Sequence, residues 1–283
     1  MAYPSISGAY GLIPVNLVGG RVEAGSTRMI PIASGYNQNI NFGDLVQLAS
    51  DGTLIKSALA SVGGTQSTPT GGFIGVFLGC EYSVVGGGSV IQGKNRYQNW
   101  RASTSTSDAV AYVCDDPQQV YKAAAVVNNG TVTSTSLAAF GSIYLGSLLE
   151  YVPNYSSTAP LNGNSTAGLC AGTSNAPITA TAPFRIVQLV PDTAVTTVTT
   201  VSATATSATQ TLTSTTGIYP GMLISGTGVT TGTYVQSVTS TQIVASASIT
   251  GTAGNSITFV GYPEVLVTWN FGSHAYMQNA GRQ

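Results

Sequence analysis

Between Asp192 and Glu264 the chain carries no charged side chain, a run of about 70 residues in which 30 positions are Ser or Thr. Such a run cannot solvate a helix with charge or brace it with ion pairs. The branched Cβ of Thr instead suits a pleated, half-buried surface. Within it, TGIYPGMLISGTGVTTGTYVQSVTSTQIVASASITGTAGNSITFVG has Gly-punctuated strands, with Met222 and Ile224, then Tyr234, Gln236 and Val238, on alternating positions. Alternation of this kind lets one face be buried. The run is therefore expected to form a small β-sandwich over residues 193–262.

The flanking sequence is also β-rich. FGDLVQLASDGTLIKSA places two apolar runs around Asp51-Gly52, a dipeptide suited to the left-handed positions of a tight hairpin turn. GGFIGVFLGCEY, DAVAYVCDDPQQVYKAAAV and PFRIVQLVP are bounded by Gly, Pro, Asp or Asn, as strands and turns are. In YPEVLVTWNFGSHAYM, Val265, Val267, Trp269 and Phe271 fall on one strand face and Leu266, Thr268 and Asn270 on the other. SLAAFGSIYLGSLLEY spaces Leu137, Phe140, Ile143, Tyr144, Leu148 and Leu149 as one or two helical turns would, with Gly141 and Gly146 opposing a longer helix. The simplest organisation has PFRIVQLVP lead out to the Ser/Thr-rich module and YPEVLVTWNF lead back. The body is then discontinuous, 31–192 plus 263–283, with the module inserted at a loop tip. Residues 1–30, with Pro4, Pro14 and scattered glycines but an apolar content too high for disorder, read as an extended arm docked on a partner or on the body.

The chain of 283 residues is long enough to bury a core without disulfides or metal. Nine basic and ten acidic residues give a net charge of −1, which offers no phosphate-neutralising stripe, so direct nucleic-acid binding is not expected. A near-neutral surface with only 7 % charged residues tends to associate, which favours an assembly component. Cys80, Cys114 and Cys170 are odd in number and far apart, and read as buried free thiols rather than as a disulfide framework or zinc site. The N-terminus lacks the pattern of a signal peptide and no stretch has the length of a membrane span, so synthesis in a cytoplasm and no membrane association are expected.

Catalytic material is sparse. His274 is the sole histidine, so a triad or two-histidine metal site has little to build on, and a packing or surface role is expected. Asp115 and Asp116 precede Pro117 and read as turn residues rather than a cation site. Nothing in the sequence brings carboxylates such as Asp44, Glu81 and Glu264 together as an acid/base pair. No enzymatic activity, catalytic residue, metal or cofactor is expected. The segment with the most functional look is GKNRYQNWRAS, where Lys94, Arg96, Tyr97, Trp100 and Arg101 interleave aromatic and basic side chains. These types dominate protein–protein hot spots and also stack on sugars; a strand with a core Trp and solvated cations is the alternative. With Tyr3, Tyr10, Leu12, Ile13, Arg21 and Arg28 of the arm, Arg96, Tyr97, Trp100 and Arg101 form the set of candidate partner-binding residues.

MAYPSISGAYGLIPVNLVGGRVEAGSTRMIPIASGY, FGDLVQLASDGTL, GVFLGCEY, DAVAYVCDDP, PFRIVQLVPD and YPEVLVTWNFGSHAY together resemble head structural proteins of tailed bacteriophages, notably those infecting cyanobacteria and other marine bacteria. The hairpin followed by GVFLG is also similar to capsid decoration or cement proteins with a tulip-like β fold. The insert resembles small Ig-like modules of phage heads and tails. The resemblance implies an all-β chain, a tulip-like β-barrel/sandwich body with an N-terminal extended arm and an inserted Ig-like β-sandwich. It implies a location on the virion, with the major capsid protein as partner, self-association as a homotrimer, and clamping of adjacent shell subunits. A tail or fibre component, or a module that binds host-surface glycans through the insert and the Tyr97/Trp100 segment, is the alternative.

Overall fold

A computed structural model describes residues 9–22, 25, 27–57, 72–86, 89–102, 106–126, 145–153, 163–170, 182–190, 196–218, 222–230, 233–261 and 264–277. It is all-β: besides strands, the described residues contain one 3-10 turn, Ala275–Met277. The N-terminal strands are β1 (Ile13–Leu17), β2 (Arg21–Val22), β3 (Arg28–Pro31), β4 (Leu45–Leu48) and β5 (Leu54–Lys56). The middle of the chain forms β6 (Gly75–Gly86), β7 (Ser89–Tyr97), β8 (Val110–Cys114), β9 (Gln119–Val126), β10 (Leu148–Val152), β11 (Gly168–Cys170) and β12 (Phe184–Val190). Then come β13 (Thr196–Thr200), β14 (Ala205–Thr211), β15 (Leu223–Gly226), β16 (Val235–Val238), β17 (Gln242–Gly251), β18 (Ser256–Val260) and β19 (Glu264–Trp269).

The body holds two sheets. In the first, β11, β10, β12, β19 and β9 follow one another and a parallel β11–β9 pairing closes them into a five-stranded barrel, with β1 and β2 continuing from β9. The second runs β3-β8-β6-β4-β5, with β7 on the far half of β6, and a single parallel bridge from Ile32 to Leu54 brings its two ends together. Strand alternation divides the two cores at their shared wall. Leu45, Phe73, Val76 and Cys114 belong to the core with Tyr121, Leu149, Phe184 and Trp269. Their neighbours Val46, Ile74, Phe77 and Val113 belong to the other, with Trp100. A wall buried on both faces needs continuous apolar runs, which is why GGFIGVFLGC and AYVC show no polar alternation.

The Asp51-Gly52 hairpin is present: Leu48 pairs with Leu54, and the Ala49 N–H donates to Thr53 O at 2.8 Å. Gly52 has φ 82°, a left-handed conformation that favours glycine. Asp116 and Pro117 lie in the tight connection between β8 and β9, where the Gln118 N–H donates to Asp116 Oδ1 at 2.7 Å. All three cysteines are buried.

Of the expected N-terminal arm, the described residues dock on the body, and do so as strands: β1 pairs with β9, β3 pairs with β8 and Leu12 is in the core, while residues 1–8 lie outside the described residues. Three expectations need correction. Leu148 and Leu149 belong to β10 rather than to a helical turn; Leu137, Phe140, Ile143 and Tyr144 lie outside the described residues. Phe271 is 76 % exposed because β19 ends at Trp269 and the chain turns before it. In β16 the core residue is Val235, while Tyr234 is exposed; a register shift between Val235 and Ser237 then returns Val238 to the core side.

The charge-free run forms two three-stranded sheets, β13-β18-β15 and β14-β17-β16, around a core that includes Met222, Ile224, Ile243 and Phe259. It leaves and rejoins the body between β12 and β19, which are hydrogen-bonded neighbours with Val190 opposite Glu264. The sandwich is also seated on the barrel. Leu223 and Val260 pack with Ala124, Val152 and Cys170 of the barrel, and Ala9 and Tyr10 pack against the same cluster.

Candidate binding surface

The candidate residues do not converge on one patch. Tyr3 lies outside the described residues. Tyr10 is at the sandwich–barrel seam, where its hydroxyl donates to Glu264 Oε1 at 2.6 Å and Lys122 Nζ lies 5.8 Å from its ring centroid. Burial and the neighbouring Glu264 carboxylate push the Tyr10 phenol pKa up. Leu12 is buried in the barrel core, and Ile13 sits half-buried in β1 opposite Lys122. Arg21 is on the edge strand β2 and bonds the Gln118 side chain. Arg28 stands at the start of β3, 2.5 Å from Asp115, with Tyr276 donating to the same carboxylate at 2.9 Å.

GKNRYQNWRAS splits between core and surface. Trp100 is 0 % exposed and its Nε1 donates to Tyr36 O at 3.0 Å, so it presents nothing to a partner. The same holds for Leu12, and both are corrections to the partner-binding set. Tyr97 is stacked on Tyr82 at 4.2 Å between ring centroids, and Tyr82 in turn meets Trp100 edge-on. The aromatic residues of the segment thus anchor β7, while Lys94, Arg96 and Arg101 remain exposed.

On the outer face beside β7 lies an open groove of about 520 Å³. Its floor is Leu78, Gly79 and Cys80 of β6, and its sides include Phe42, Tyr97, Gln98, Arg96 and Tyr112. The groove exists because β6 bulges there: pairing with β8 jumps from Phe77–Val113 to Cys80–Ala111. Gly79 has φ 132°, and a Cβ on it would stand 2.9 Å from Tyr97 O, so the dent requires glycine. Burial raises the Cys80 thiol pKa to about 12, which keeps this floor residue an unreactive thiol at neutral pH.

Arg96 lies over the Tyr112 ring, 4.4 Å from its centroid, and its Nε donates to the Tyr112 hydroxyl at 3.4 Å. That hydroxyl donates to Glu81 Oε2 at 2.5 Å, and Lys94 Nζ is 3.8 Å from Glu81 Oε1. Sequence reasoning found Arg96 and Tyr97 but missed Tyr112, Phe42, Gln98 and the Gly79 bulge. A strand over DAVAYVC puts Tyr112 on the face opposite Ala111 and Val113, but its continuous apolar run does not mark which face is open.

A second exposed region is apolar. Val15, Val22 and Met29 of the N-terminal strands and Val18 of the β1–β2 turn are exposed, Val22 at 85 %, and β2 is the outermost strand of its sheet. Among the described residues no group of three or more His, Cys, Asp or Glu could hold a metal ion. His274 is buried, its Nδ1 accepting the Tyr276 N–H at 3.2 Å and its ring edge-on to Trp269. No family model, curated protein or solved structure matches the chain.

Proposed function

We propose that the chain is a structural protein of a tailed-phage virion: a decoration, or cement, protein that binds the outer capsid surface as a homotrimer and clamps neighbouring shell subunits. The observation that carries the reading is the apolar edge made by Val15 of β1, Val22 of β2 and Val18 in the turn between them. An edge strand with exposed valines offers main-chain pairing and buried area to a neighbouring subunit, and monomers rarely leave such edges uncovered. The resemblance of the sequence to phage head proteins supports the major capsid protein as the partner. Two joined β cores supply rigidity, and the uncharged sandwich supplies a module that faces away from the shell. Many weak contacts then act together over a symmetric surface.

The test is light scattering followed by sedimentation with empty heads of the phage that encodes the chain, with head-only and protein-only controls. A trimer that co-sediments and raises the melting temperature of the shell is the expected result. A Val18→Glu/Val22→Glu double variant is expected to stay folded and remain in the supernatant. Failure of the unmodified protein to co-sediment overturns the reading.

A further inference from the structure

We propose that the groove at the β6 bulge is a binding site for an acidic saccharide, a short stretch of uronic-acid-type sugar. This goes beyond capsid attachment and does not depend on it, because the groove is on the second sheet and the apolar edge on the first.

Three observations converge. The first is shape: a groove of about 520 Å³ falls in the range of ligand sites and has room for more than one sugar ring. Its existence rests on Gly79, whose backbone conformation and close approach to Tyr97 O admit no side chain, so the concavity is built into the sheet.

The second is lining chemistry. Phe42, Leu78 and Tyr97 offer apolar surface to the C–H faces of a sugar ring, and Tyr97 is held in place by its stack on Tyr82. Arg96 and Gln98 stand beside them with planar, hydrogen-bonding groups of the kind that meet paired hydroxyls or a carboxylate. β6 is an inner strand of its sheet, with β8 on one flank and β4 and β7 on the other, and the floor residue Cys80 pairs with both Ala111 of β8 and Tyr97 of β7. A ligand there meets side chains and ring faces rather than an open backbone edge, which favours a sugar over an added peptide strand.

The third is charge. Lys94, Arg96 and Arg101, three of the nine basic residues in the chain, fall within eight positions and all are exposed, and of these Arg96 lines the groove. Lys94 is matched by Glu81, but among the described residues no carboxylate is within ion-pair distance of Arg96 or Arg101. The Arg96 guanidinium rests on the Tyr112 ring, which fixes it at the side of the groove with hydrogen-bonding capacity to spare. The occupant that satisfies this arrangement has sugar faces and a negative charge.

Isothermal titration of the full chain with tetra-galacturonate tests this, with cellotetraose as the neutral control and a glutamate decamer as the control for charge alone. Saturable binding of tetra-galacturonate that weakens at least tenfold in Arg96→Gln and in Gln98→Ala, with little binding of either control, is the expected result. Both variants change exposed side chains, and an unchanged melting temperature shows that the fold is intact. No binding of tetra-galacturonate, equal binding of cellotetraose or of the glutamate decamer, or affinity unaltered in Arg96→Gln overturns the proposal. The Val18→Glu/Val22→Glu variant, whose changes lie outside the groove, is expected to bind tetra-galacturonate as the unmodified protein does, so failure here and failure of the cement reading give different results.

Discussion

Lys56 Nζ lies 2.9 Å from Asp44 Oδ2, with the Asp44 side chain almost wholly buried and that of Lys56 14 % exposed. The same carboxylate accepts the Asn41 N–H at 2.8 Å and the Ser165 hydroxyl at 2.6 Å, and Tyr151 OH is 3.4 Å from Oδ1. Tyr151 also accepts the Leu45 N–H, at 3.1 Å. Asp44 therefore ties the hairpin of one sheet to a strand and a loop of the barrel. A polar node at such a wall fixes how the two halves meet, which apolar contact alone leaves less defined.

Removing one partner of this node leaves the other buried and uncompensated. Lys56→Met is expected to cost about 3–5 kcal/mol, the usual result of breaking a buried ion pair. Guanidinium unfolding of the two variants Lys56→Met and Asp44→Asn, and of the double variant, measures it. A double variant whose loss is well below the sum of the single losses shows that the pair acts as a unit.

Burial pushes the His274 imidazole pKa down to about 4, against the upward pull of Asp115 and Asp116. The unfolded chain takes up this proton near its ordinary value of about 6.5, so stability from the neutral ring is complete above that pH and is lost as pH falls toward 4. The expected loss across the window is about 3 kcal/mol. Urea unfolding at a series of pH values reads it, and His274→Phe is expected to flatten the slope between pH 6.5 and 4 whatever its effect at pH 8.

Tyr10 joins the sandwich–barrel seam to Glu264, the first residue of the returning strand. Tyr10→Phe keeps the apolar ring and removes one hydrogen bond to a carboxylate, so a loss of about 1–2 kcal/mol is expected. The accompanying sign is faster limited proteolysis between the sandwich and the barrel, followed by mass spectrometry of the fragments.

Leu12 is buried at the point where the first described strand enters the barrel core. Leu12→Ala is expected to cost about 2–5 kcal/mol. For the same reason, truncation through residue 25 removes β1 and β2 and is expected to lower the melting temperature of the whole body, as scanning calorimetry will show. Truncation of residues 1–8 leaves these strands in place and is expected to have a much smaller effect.

Local signals carried far in this chain. Asp51-Gly52 marked its hairpin, the alternation of Val265, Val267 and Trp269 marked a core strand, and the absence of charge marked the limits of the sandwich. What failed depended on partners distant in sequence. The N-terminal residues read as an arm without a fixed dock because their strand pairing is with β9, about a hundred residues away, and prolines with scattered glycines conceal so short a strand. Phe271 and Tyr234 were misplaced because periodicity carries no mark of where a strand ends or slips register. Trp100 is a polar-flanked aromatic in a basic segment, and only the Tyr36 carbonyl and the Tyr82 ring, both remote in sequence, show it to be core. The groove was half legible for the same reason: its residues, Thr27 included, come from five separate segments and its floor from a backbone irregularity.

The pairing of Val190 with Glu264 means that the barrel register closes without reference to the 73 positions between them. For the barrel, the sandwich is a detachable cassette whose two ends leave side by side, and the seam residues Ala124, Val152 and Cys170 are the footprint that a replacement must cover. An unrelated domain with closely spaced termini and an apolar base can occupy that socket. The same site can therefore diversify between lineages, or accept a displayed cargo in the laboratory, while the two cores beneath it keep their sequence.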